Sequence, residues 1–251
     1  MELFRGIRTV DGRRAVLYEE LDLVAISDLQ LGEELYLAEE AHVFIPQVQL
    51  KMILEELERV KQESGAGRIL LNGDIKHEFG SATSQEWREV RLLYEKLRSL
   101  FREVIFVRGN HDNYLLTISS RLGFTVREEH RERGYLFVHG HRIPENMEGV
   151  HTVTIGHEQP AVLLRSGYDR VKLHVVLYGH DRQGRRFICL PAFSPLASGV
   201  EVNATPREEL LSPFFRELVD VDELEAVALD PEAGEIKLPK VRILREFITS
   251  Q

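Results

Sequence analysis

Cys189 is the only cysteine in the chain, which excludes an internal disulfide and a thiolate-rich structural metal site. Its setting in the apolar run FICLPAF reads as a small buried side chain. Long apolar runs are also missing: no stretch approaches the roughly 20 apolar residues that span a bilayer, and MELFRGIRTVDGRR at the N-terminus lacks the apolar core of a secretory signal. A soluble, cytoplasmic protein without membrane contact is expected. Nor is there an excess of basic residues. With 32 Lys and Arg against 41 Asp and Glu, the formal net charge is −9, which excludes a chain that coats nucleic acid by charge alone. The local groups Arg127, Arg131, Arg133 and Arg182, Arg185, Arg186 read as solvated surface. Repeats, low-complexity tracts and linkers are absent too. With 43% hydrophobic residues in 251, one compact domain over 1–251 is expected, the segment 206–251 packing onto it.

Short apolar runs alternate with helical patterns in the first half. Leu23 to Ile26 reads as a buried strand, and Leu50, Ile53, Leu54, Leu57 and Val60 recur at helical spacing between Gln49 and Lys61. A strand at Ile69 to Leu71, a helix around Trp87, Val90, Tyr94 and Leu97, and a strand at Val104 to Val107 complete a βαβαβ pattern, which predicts a parallel sheet. Beyond Phe124, Tyr135 to Val138, Val150 to Ile155, Lys172 to Tyr178 and Arg185 to Leu190 read as strands with little helix between them. A second, more antiparallel sheet is expected. A helix over Glu208 to Leu218 and two strands, Leu224 to Leu229 and Glu235 to Leu238, joined by the turn DPEAG, close the chain.

The chemistry gathers where strands end. LVAI runs into Ser27-Asp28-Leu29-Gln30, ILL into Asn72-Gly73-Asp74, VIFV into Arg108-Gly109-Asn110-His111-Asp112, YLFV into His139-Gly140-His141, and VTI into Gly156-His157-Glu158-Gln159. The carboxyl ends of parallel strands form the edge where ligands bind in α/β sheets. Asp, Asn and His without cysteine suit a hard or borderline divalent ion: Mn²⁺, Mg²⁺, Zn²⁺ or Fe²⁺. Two ions held about 3.5 to 4 Å apart can orient phosphoryl oxygens and bridge a hydroxide. Asp74, after a glycine turn on a central strand, is placed best to bridge them. His180 also follows a strand and a glycine and competes with His157, which the Glu-Gln-Pro continuation favours. His151 and His174 lie inside strands and read as packing residues; Lys76 and His77 are candidate phosphate contacts.

The series S-D-L-Q-L-G, N-G-D, G-N-H-D, H-G-H and G-H-E-Q-P resembles, in order and spacing, the motifs of the calcineurin-like metallophosphoesterases. GDIKHEF and LPAFSPLASG are similar to a group of archaeal and bacterial phosphoesterases related to the nuclease SbcD. The resemblance implies a four-layer α/β/β/α sandwich and a metal-dependent phosphodiesterase or nuclease acting on nucleic acid or nucleotides. It implies that Asp28 binds a first ion, that Asp74 bridges, and that Asn110, His139 and His157 complete a second site. His111 would serve the scissile phosphate with Asp112 orienting its ring, and Arg108, His77 and His141 would line the substrate.

The family has histidines where this chain has Gln30 and Gln159, both of which belong to the first site in the family pattern. An amide oxygen binds transition metals less avidly than imidazole, so one tight and one weakened site are expected. Three outcomes stay open: weak filling of the first site by Mg²⁺ or Mn²⁺, work with one ion, or an impaired homologue serving as a binding partner in a DNA-repair assembly.

Overall fold

The structure is a computed structural model that describes residues 1–34, 37, 42, 46–77, 84–166 and 169–249. It opens with an antiparallel meander, β1 (Glu2–Phe4), β2 (Ile7–Val10) and β3 (Arg13–Tyr18), that delivers the chain to β4 (Leu23–Ile26). From β4 the sheet turns parallel through β5 (Arg68–Asn72), β6 (Glu103–Val107) and β7 (Val126–Arg127), with neighbours in chain order. Among the described residues, one face is covered by α1 (Gln49–Ser64), α2 (Ser84–Leu100) and α3 (Leu115–Leu122). The first runs to Ser64 because its stop is Gly65, at φ 67°, whose N–H caps the Lys61 carbonyl in the left-handed termination that glycine favours.

Strand alternation decides which side each residue joins. Val24, Ile26, Ile69 and Leu71 pack on the helical residues Ile53, Leu57, Val90 and Leu97. Leu23, Ala25 and Leu70 point the other way and meet Tyr135, Phe137, Val176 and Ile188 of a second sheet. That sheet contains β8 (Glu129–Glu132), β9 (Tyr135–Val138), β10 (Thr152–Ile155), β11 (Pro160–Ser166), β12 (Asp169–His180), β13 (Arg186–Cys189), β14 (Val200–Glu201), β15 (Glu225–Asp230) and β16 (Gly234–Leu238). Its strand order is β14-β11-β12-β13-β10-β9-β8, with β15 on β12 and β16 on β15. The expected antiparallel character holds for most pairs, but β9, β10 and β13 run parallel in its middle. Leu136, Val138, Val153 and Ile155 face outward onto Phe214, Phe215 and two residues of α4 (Val241–Thr249), Val241 and Leu244. The result is a four-layer α/β/β/α sandwich.

The helix expected over Glu208 to Leu218 is absent. A 3-10 turn at Arg207–Glu209 and a π-type turn at Phe214–Leu218 stand in its place, separated by extended backbone at Leu210. Pro213 has no N–H to continue a helix, and the N–H groups of Leu211 and Ser212 are drawn to the buried Glu158 carboxylate at 3.2 and 2.8 Å. This contact fastens the C-terminal segment to the last strand-end motif.

The sheets are joined by more than apolar contact. Tyr18 Oη and Thr154 Oγ1 lie 2.6 Å apart, both fully buried. Burial also pushes the Tyr18 phenol above its ordinary range, so it stays neutral. Tyr18→Phe strands the Thr154 hydroxyl and is expected to cost about 1–2 kcal/mol. Urea unfolding checks this, and an unchanged midpoint would show the bond to be without net effect.

Candidate metal centre

The carboxyl ends of β4, β5 and β6 meet those of β9 and β10, and main-chain hydrogen bonds tie the turns together. Asp28 N–H donates to the Gly73 carbonyl (3.1 Å), Gln30 N–H to the Asp74 carbonyl (3.0 Å) and Gly156 N–H to the His139 carbonyl (2.8 Å). Asn72 reaches across from β5, its side-chain amide donating to Val138 O at 3.0 Å. The downstream LPAF segment closes the other side: Phe193 N–H donates to Ser27 O (2.7 Å) and Ser194 N–H to Asp28 O (3.1 Å).

Five site residues share an uncommon backbone. Asp28 (φ 56°), Gln30 (52°), Asp74 (50°), His157 (62°) and Gln159 (50°) are among nine described non-glycine residues with positive φ. Left-handed backbone costs an L-residue energy and persists only where its surroundings hold it, so its concentration at one place marks a functional constraint. Glycines make room beside these kinks. A Cβ at Gly73 would run into the His139 ring, one at Gly109 into the Asp74 amide and carboxylate, and one at Gly156 into Ser27 Oγ.

Asp74 is the hub and is nearly fully buried. Its Oδ1 accepts the His111 N–H at 3.0 Å. Its Oδ2 accepts Gln30 Nε2 at 3.1 Å and lies 3.3 Å from His139 Nε2 and 3.8 Å from His111 Nε2. Burial alone would raise the Asp74 carboxyl. The nearby charge of His139, then that of His111 with its backbone N–H bond, outweighs it and holds the group well below the carboxylate range.

His139 is fully buried, and its Nδ1–H donates to the Asn72 carbonyl at 2.9 Å. Nε2 therefore turns toward Asp74. It is near enough to pair electrostatically but out of hydrogen-bonding alignment, and it is one of the buried polar atoms without a hydrogen-bond partner among the described residues, as are Asn110 Oδ1 and His141 Nδ1. An imidazole lone pair beside a carboxylate needs a cation between or next to them, either a proton or a metal ion. Burial disfavours the proton on His139, but Asp74 overcomes it and brings the ring to about 9. His157 is held down to about 3 by burial and by the His139 charge, and His141 to about 4 for the same two reasons. Asp74, His139 and His157 each offer a ligand atom within 4.8 Å of the others. Neutral imidazoles at His141 and His157, a low carboxylate at Asp74 and the orphaned atoms of Asn110 and His139 fit a divalent ion.

Around Asp28 the picture differs. Its carboxylate, fully buried, accepts Ser27 Oγ at 2.5 Å, His157 N–H at 3.1 Å and Gln159 Nε2 at 3.0 Å. Burial, with help from Asp74, pushes it up to about 6. Gln30 gives its amide N–H to Asp74 and takes His77 Nδ1 on Oε1 at 3.0 Å.

The expectation that Asp112 orients the His111 ring is corrected. Asp112 accepts backbone N–H groups from Gly109 (2.8 Å) and Ile75 (3.0 Å) and so locks two strand-end turns together. The His111 ring is held instead by the His77 carbonyl, 2.5 Å from Nδ1. Aspartate is drawn to main-chain amides near its own turn, and no feature of G-N-H-D distinguishes that use from a contact with histidine. Arg108 spends its guanidinium on Glu128 (2.8 Å) and Asn113 (2.7 Å). His180 sits apart, its ring 5.5 Å from Phe4, whereas His157 lies 5.0 Å from His139, ring to ring. His151 Nε2–H donates to the Arg133 carbonyl in the turn between β8 and β9 (2.9 Å), and its Nδ1 lies 2.8 Å from Thr152 Oγ1. Asn72, Ser27 and Glu158 were not singled out in the sequence, although each sits inside a quoted motif.

The sequence profile of the calcineurin-like phosphoesterases matches residues 21–184. No curated protein matches the chain. Among solved structures, the nuclease MPE of Pseudomonas putida superposes with a TM-score of 0.61 at 17% identity, over 91% of this chain and 93% of that one. The phosphoesterase YfcE of E. coli gives a TM-score of 0.41 at 18% identity, over 86% and 97%.

Proposed function

The chain belongs to the calcineurin-like phosphoesterase family, and from that premise we propose that it is a metal-dependent phosphodiesterase, cytoplasmic, acting on nucleic acid or nucleotide phosphodiesters. The observation that carries this reading is the buried His139 ring, whose Nδ1 is committed to a backbone carbonyl and whose Nε2 is left facing Asp74 without a hydrogen-bond partner among the described residues. Asp74, Asn110, His139 and His157 would hold the ion, with Mn²⁺ the first candidate. A divalent ion there supplies Lewis-acid polarisation of the phosphoryl oxygens and a nucleophile available at neutral pH.

The remaining residues handle position and protons. Because the Nδ1 of His111 faces the His77 carbonyl, Nε2 is the atom that can pass a proton to the leaving oxygen. His141 and His77 flank the centre as contacts for the non-bridging phosphate oxygens. Arg108 joins them only by giving up Glu128 or Asn113.

The test is hydrolysis of bis(p-nitrophenyl) phosphate with added Mn²⁺. Turnover that is removed by chelator and restored by the ion is expected, with a matched phosphomonoester cleaved more slowly. The two glutamines favour a second reading, an impaired homologue that binds nucleic acid or a DNA-repair partner without cleaving. Absence of turnover with the ion demonstrably bound, together with retention of an oligonucleotide, would select it.

A further inference from the structure

The orphaned and the satisfied atoms divide this centre in two. Among the described residues, the buried acceptors of this centre without a hydrogen-bond partner are Asn72 Oδ1, at the end of β5, and Asn110 Oδ1, His139 Nε2 and His141 Nδ1, after β6 and β9. After β4 the situation is reversed. Both oxygens of Asp28 are hydrogen-bonded, and two of their three donors are Ser27 Oγ and a backbone N–H. The third is Gln159 Nε2. Gln30 fills the matching position at Asp74, donating its amide to Oδ2 and accepting from His77 on its oxygen.

Resting on the reading of the site as a metal centre, we infer that it holds one divalent ion, in the Asp74, Asn110, His139 and His157 set. Gln30 and Gln159 act there as positioning residues whose amide N–H groups occupy the place of a second ion. An amide nitrogen has no lone pair to offer a metal, so each glutamine would have to rotate to present oxygen. Rotation would turn Gln159 Oε1 toward a carboxylate and would cost Gln30 both its bond to Asp74 and its bond to His77. The buried carboxylates would lose charge-assisted donors in the same move. What the amides do in place of an ion is partial: they donate a hydrogen bond each to Asp28 and to one edge of Asp74, without cancelling the charge, and keep Asp28 aimed at the His157 backbone.

The number of bound ions tests this directly. Calorimetric titration of metal-free chain with Mn²⁺, with elemental analysis, should give one equivalent, and the electron paramagnetic resonance spectrum should be that of isolated Mn²⁺. Gln30→Ala and Gln159→Ala should each keep that equivalent, because neither side chain is a ligand. The double variant Gln30→His with Gln159→His should take up two, with the spectrum of an exchange-coupled pair. Two equivalents in the wild type, loss of the ion in either alanine variant, or one equivalent in the double variant with unchanged circular dichroism would each overturn the inference. No binding of any divalent ion by the wild type would overturn the metal-centre reading itself.

Discussion

Asp74→Asn is expected to strip the chain of its ion and to lower kcat/KM on a phosphodiester by on the order of 10³-fold, with the fold retained. The substitution is chosen for its backbone. Asp74 sits at φ 50°, where asparagine is tolerated nearly as well as aspartate, whereas alanine would add strain of its own. What changes is the charge. His139 Nε2 at 3.3 Å loses the carboxylate that brings that ring to about 9, and the cluster of Asp74, His139 and His157 loses its only anionic member. Elemental analysis after dialysis, kinetics and a thermal melt separate the possibilities. Near wild-type turnover with the ion still bound would reject Asp74 as the principal ligand. A large fall in melting temperature would mean that its role is in folding.

Gly109→Ala should produce the largest structural effect of a single methyl group at the centre. The added Cβ would overlap both the backbone nitrogen and Oδ1 of Asp74, and because a backbone atom is involved no rotamer change relieves it. The turns after β5 and β6 must separate. The expected cost is about 3 kcal/mol, or roughly 6–12 °C in melting temperature for a chain of this size, together with loss of metal binding. Gly123→Ala is the comparison. It has φ 76° but nothing within 4 Å of a new Cβ, so only the conformational penalty of about 1 kcal/mol applies. Equal effects of the two substitutions would show that close approach to Asp74 is not why position 109 is glycine.

The parts of the molecule that could be read in sequence are those with a period. Leu23 to Ile26 and Tyr135 to Val138 are strands with those bounds, because unbroken apolar residues buried on both faces leave no other reading. The ends of these strands could be read for the same reason, since polar residues after such runs stand out. The meander β1 to β3 carries little sequence signal: its strands are three to six residues long, and β2 and β3 mix arginine with apolar residues. The short strands β7 and β14, of two residues each, carry no pattern at all. At the site, residue type and position were legible, but direction was not. Whether Gln30 turns nitrogen or oxygen toward Asp74 depends on His77, which approaches from a separate turn. Whether Asp112 serves His111 or the main chain is likewise decided by the packing of two loops.

The left-handed kinks have a consequence for how such a centre changes over generations. Each of Asp28, Gln30, His157 and Gln159 is a single kinked residue, and the path of the main chain at 28 and 30 is set by its own bonds to Gly73 and Asp74. At 28 and 30 the route of the backbone is thus held by main-chain bonds rather than by the side chain it displays. One base change converts a glutamine codon to a histidine codon, so the ion count of this scaffold lies two point mutations from a different value, with no loop to rebuild.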